Sequence, residues 1–136
     1  MKKFILGFIC LILAFCLGAC APKPEVTLVD ALQNIESIMR KNMEEPDRLI
    51  AELGAYADAN QQAWAEMKRT FNAMSRDDYM RIIDHKQDDI REGMLKIMNL
   101  DLEFQDQLKN DPKRMAAYMA AVKKIGVLSL DEDKHD

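Results

Sequence analysis

Cysteine is missing from residue 21 onward; Cys10, Cys16 and Cys20 all fall in the first twenty positions. A body without thiols has no thiol nucleophile, no disulfide and no cysteine-held zinc. Serine and histidine are nearly as scarce, with Ser37, Ser75 and Ser129 the only serines and His85 and His135 the only histidines. No Gly-x-Ser-x-Gly occurs, so a serine–histidine triad has no support. Past the first twenty residues the glycines are Gly54, Gly93 and Gly126, and no glycine-rich phosphate loop can be built from them. Positive charge is also in deficit: 19 Lys and Arg against 23 Asp and Glu give a net charge of −4. Nucleic-acid binding needs clustered Lys and Arg on phosphates, so this balance argues against it and against anionic lipid surfaces. It favours solubility and, loosely, basic partners.

Proline is limited to Pro22, Pro24, Pro46 and Pro112, each where a helix could begin or has not begun. Together with the lack of glycine, this points to an all-helical body. The acidic pairs Glu44/Glu45 and Asp77/Asp78 fall at helix starts, where they complement the helix dipole. That placement argues against glycosidase-type acid/base chemistry.

The amino-terminal segment is rich in what the rest lacks. Lys2 and Lys3 precede an apolar run from Phe4 to Phe15, which gives way to small residues and Cys20. Charged start, apolar run and small residues are the order of an export signal. Leu17-Gly18-Ala19-Cys20 resembles the lipobox of bacterial lipoproteins. The resemblance covers only about the first twenty residues. It implies diacylglyceryl transfer to the Cys20 thiol, cleavage between Ala19 and Cys20, and acylation of the new amino terminus. The competing reading is an uncleaved membrane anchor, but Phe4 to Ala19 is shorter than the about 20 residues a spanning helix needs. Two or three acyl chains, each buried CH₂ contributing about 0.8 kcal/mol, would hold the body on the membrane without a lipid-binding surface of its own. In well-studied Gram-negative lipoproteins an aspartate after the cysteine favours inner-membrane retention. Ala21 stands there instead, which places the expected location at the outer membrane, facing the periplasm.

The expected organisation is a signal peptide at 1–19, a lipidated cysteine with a short proline-stiffened tether at 20–26, one helical domain at 27–130 and a polar tail at 131–136. The first helix is predicted to start at Thr27 as cap, with Leu28, Leu32, Ile35 and Met39 on one face and Arg40-Lys41-Asn42 as its end. The second begins at Pro46, with an apolar face of Leu49, Leu53, Tyr56, Trp64, Met67, Phe71 and Met74 and a bend at Gly54. Ser75 caps a third, long helix whose stripe is Tyr79, Ile83, Ile90, Met94, Ile97, Phe104 and Leu108, with room for a break near Asn99 to Asp101. Asp111-Pro112 opens the fourth, lined by Met115, Met119, Val122 and Ile125, with Gly126 after it and Leu128 and Leu130 packing back. Glu45-Pro46-Asp47-Arg48-Leu49 and Asp111-Pro112-Lys113-Arg114-Met115 look alike because both start helices. The polar run Asp84 to Asp89 interrupts the third stripe. Either partner helices end at its level, or a polar group in the seam sets register.

Candidate chemistry is thin. His85 with Asp89, four residues on, suits a solvated helix pair better than a metal site, because the Glu-x-x-His spacing of di-iron bundles is missing: Ile82 stands three before His85. Met39/Met43, Met94/Met98 and Met115/Met119 are spaced by four. Such thioethers suit Cu(I), but the same spacing suits core packing or an adaptable binding groove. One interior histidine and no Cys-x-x-Cys-His leave little for haem. The chain is therefore expected to be an all-α antiparallel bundle of about four helices, or a long helical hairpin flanked by shorter helices. Its expected function is non-enzymatic, with no cofactor and no metal: a lipid-anchored envelope module that binds a protein partner or assists envelope assembly. The alternative is a small-ligand or metal carrier, for copper or haem, using the methionines and His85.

Overall fold

The computed structural model describes residues 23–125. The expectations for Ala19, Cys20, Gly126, Leu128, Leu130 and the tail at 131–136 fall on residues outside the described ones. Four helices follow one another: α1 (Pro24–Asn42), α2 (Pro46–Ala73), α3 (Arg76–Leu108) and α4 (Pro112–Lys124). They pack as a small all-α bundle, running alternately up and down. The turns between them are two or three residues long, so each helix reverses the direction of the one before.

Each start has a local cause. Proline opens α1, α2 and α4, where its missing N–H costs nothing and its fixed φ is already helical. That is why α1 begins at Pro24, three residues before the expected Thr27 cap. Thr27 instead sits in the first turn and its Oγ1 donates to the Lys23 carbonyl at 3.3 Å. The Ser75 hydroxyl accepts from the Asp78 N–H at 3.1 Å and Asp111 Oδ1 from the Arg114 N–H at 3.0 Å, so two of the four starts are closed by side-chain caps. α3 runs unbroken for 33 residues, ~50 Å at 1.5 Å per residue, with no interruption at Asn99 to Asp101.

α1 is the central partner, packed against both α2 and α3, while α4 leans chiefly on α2. Antiparallel α1 and α2 are tied near their shared turn. There the buried Asn42 donates from Nδ2 to the Ile38 carbonyl and to Glu52 Oε2, both at 2.9 Å. Parallel α1 and α3 approach closely at Gly93, where an added Cβ would sit 3.1 Å from Leu32 Cβ. α2 and α4 run parallel, pinned at two levels. Arg114 binds Asp47 through Nε and Nη2, both at 2.8 Å, and Lys124 Nζ meets Asp58 Oδ1 at 3.1 Å. The core along this frame includes Leu32, Ile35, Met39, Leu49, Leu53, Trp64, Phe104 and Tyr118. Edge-to-face ring pairs, Phe104–Tyr118 at 4.8 Å and Tyr56–Trp64 at 5.6 Å, add directional packing to it.

Two expected stripes rotate. On α3 the buried line is Gly93, Ile97, Leu100, Phe104 and Leu108, and Met94 lies outside it. On α4 Tyr118, Ala121 and Ile125 turn inward, while Met119 turns out. In both helices two overlapping apolar stripes compete, and the neighbour that packs most closely selects one. For α3 that neighbour is α1, which presses Leu32 onto Gly93. For α4 it is α2 below and Asp101 beside it, which receives the Tyr118 hydroxyl.

Candidate functional site

α4 rests on α2 and reaches α3 mainly through one side chain. Tyr118 Oη donates to Asp101 Oδ1 at 2.5 Å, and Gln105 Nε2 donates to the other carboxylate oxygen at 2.8 Å. Burial first, then the hydrogen bond to Asp101 and its charge, push the Tyr118 phenol well above the usual tyrosine range. The phenol therefore stays protonated and serves as a fixed donor.

Beside this bridge α3 and α4 stand apart, leaving an open groove of about 650 Å³. Its floor is Ile35, Met39 and Leu53 from α1 and α2. One wall is α3, with Ile83, Ile90, Met94, Leu95 and Met98. The other is Val122 and Ile125 of α4. The lining is almost wholly apolar; Gln87, Arg91 and Asp101 supply its polar rim. Arg91 is held there by Asp88, Nη2 to Oδ1 at 3.1 Å.

The exposure of this wall is unusual for side chains of its type. Met94 is 47 % exposed, Leu95 49 % and Met98 51 %, and Leu102 extends the same face at 60 %. Residues spaced by three and four along one helix form a continuous strip. Single exposed apolar residues need no explanation, but this strip is contiguous and lies beside the groove. The groove volume also falls within the roughly 300–1,000 Å³ of small-molecule sites.

The structure brings Met39, Met94 and Met98 to this groove, while Met43 is buried in the core and Met119 is exposed. His85 is exposed on α3, and its expected helix partner Asp89 instead pairs with Lys86 at 3.5 Å. Among the described residues, no group of three or more His, Cys, Asp and Glu side chains could hold a metal ion. The polar run around His85 has a simple cause. With Leu32 opposite Gly93, equal steps back along the two parallel helices bring Pro24, the first residue of α1, level with His85. The polar run Asp84 to Asp89 thus lies beside the first turn of α1, at the end of the stretch that α1 can cover.

Sequence reasoning missed Tyr118, Asp101, Gly93 and Leu95. Tyr118, Ala121 and Ile125 do recur at helical spacing, and this was the available signal. Nothing local marks Asp101 as the partner of Tyr118. No protein-family model matches the sequence, and no curated protein or solved structure matches it significantly.

Proposed function

We propose that this chain is a non-enzymatic, lipid-anchored envelope module that binds a protein partner in the α3–α4 groove. One observation carries the binding surface: the exposed strip Met94, Leu95 and Met98 beside an apolar floor. Helix-lined grooves of this kind accept the apolar face of an amphipathic helix, and methionine's flexible thioether lets such a surface adapt to its guest. Support for the anchor is the lipobox-like Leu17-Gly18-Ala19-Cys20. Among the described residues, no helix is long and apolar enough to cross a membrane. The lipobox reading places attachment on acyl chains at Cys20. Ala21 favours the outer membrane, facing the periplasm.

Two measurements test the two halves. Mass spectrometry of detergent-extracted protein is expected to show a chain that begins at Cys20 and carries two or three acyl chains; a chain beginning at Met1 overturns the anchor. A photo-crosslinking residue at Met98 in intact cells is expected to yield one discrete protein adduct. That adduct should be lost in Leu95→Asp and absent when the probe sits at exposed Glu66 on α2. Capture of lipid alone overturns the interaction reading.

The convergence of Met39, Met94 and Met98 on one groove supports a second reading, a carrier of a small apolar ligand or of a soft metal such as Cu(I). Stoichiometric copper, haem or an organic ligand in native mass spectra of chelator-free protein would favour it.

A further inference from the structure

α4 is too short to complete the bundle. Its last turn, fixed by Lys124 on Asp58, is level with the middle of α2, which continues to Ala73. On the other side, Tyr118 meets Asp101, and α4 runs antiparallel to α3. Equal steps in opposite directions from that pair bring Ile125 level with Met94. Farther along, Ile90 and Ile83 carry the groove on with no α4 wall. Ile125 is buried, lines the groove and has already left the helical conformation, with φ −76° and ψ 68°. The chain thus leaves α4 inside the groove, at the point where one wall ends.

The next residues are Gly126-Val127-Leu128-Ser129-Leu130, before a charge-rich run from Asp131. Five extended residues reach ~17 Å. The α3 segment from Met94 back to Ile83 is also ~17 Å long at 1.5 Å per residue. In an extended chain alternate side chains share a face, which puts Leu128 and Leu130 together and Ser129 opposite. We infer that this segment docks in cis along α3 between Met94 and Ile83, with Leu128 and Leu130 turned to the groove, as the missing fourth wall. The inference deepens the interaction reading and rests on it for one consequence: a partner entering the groove must displace the chain's own segment.

The docking is tested without any partner. In the full chain, a photo-crosslinking residue at Leu128 is expected to give an intrachain product mapping to α3 between Ile83 and Met98, and the same residue at Ser129 is expected to lose it. Equal products from both positions, a product between two copies, or a product elsewhere in the chain overturns the inference. Leu128→Asp with Leu130→Asp provides the second measurement. A rise in the fluorescence of an apolar-surface dye, at unchanged helical circular dichroism, is expected as the groove opens; unchanged dye binding overturns the docking. An intrachain product at Leu128 without any protein adduct at Met98 would sink the interaction reading and leave the docking standing. The reverse result would do the opposite.

Discussion

Gly54 and Gly93 both sit inside long helices, and a single methyl group separates their roles. Nothing lies within 4 Å of a Cβ added at Gly54, whereas one at Gly93 meets Leu32 Cβ at 3.1 Å. Glycine inside a helix costs about 0.5–1 kcal/mol relative to alanine. Gly54→Ala is therefore expected to raise stability by about that amount in urea unfolding. In Gly93→Ala the helix gain is opposed by forcing α1 and α3 apart, so a net loss of stability is expected. Equal gains in both variants would contradict the close approach of the two helices. Tyr118 yields a second prediction. Its phenol ionises near pH 10 in the unfolded chain and higher in the fold. A raised folded pKa stabilises fully below the unfolded value and loses that contribution as pH climbs through the folded one. Stability should thus fall as pH rises above about 10, and Tyr118→Phe should flatten that alkaline limb. At neutral pH the same variant is expected to cost about 1 kcal/mol, because Asp101 loses one donor and keeps Gln105.

At the scale of the element, helix starts were legible because their chemistry is local. Pro46, Ser75 and Asp111-Pro112 act within one turn, and each marks the start or cap of a helix as expected. α1 started early because Pro24 is a competent first residue, a role that the expectation of an extended tether denied it. Ser75→Ala is expected to destabilise the fold by about 1 kcal/mol, read as a lower midpoint in chemical unfolding; no change would show that the α2–α3 turn is held by packing alone. Helix faces were less legible. The line through Met94 and the line through Gly93 and Leu100 overlap on α3 and share Ile97, Phe104 and Leu108. A glycine counts for nothing in an apolar pattern, so the line that α1 selects was the weaker one to read.

Over the whole molecule, the arrangement of α4 decides where the groove falls. Two ion pairs bind it to α2, and Asp47 is held below the ordinary carboxylate range by its hydrogen bonds to the Arg114 guanidinium. A depressed folded pKa adds stability above the unfolded value and loses it as pH falls through the folded one. Acidification below about pH 4 is therefore expected to loosen α4 from α2. Asp47→Asn should make this acid limb shallower, as followed by hydrogen exchange of α4 amides. An identical acid limb in both proteins would remove Arg114–Asp47 as the tie. Both long-range pairs join residues about 66 positions apart, a separation that no local pattern announces.

Short-range chemistry settles the helical character, from scarce glycine and proline, and the number of helices, from their starts. The lipobox-like opening of the sequence stays an expectation for the mass measurement. The tertiary structure alone decided that α4 leans on α2, that Tyr118 bridges to Asp101, and that Met94, Leu95 and Met98 are left beside an open groove. The physical reason is that periodicity states which residues share a face of one helix, whereas exposure depends on which neighbour covers that face and where the neighbour ends.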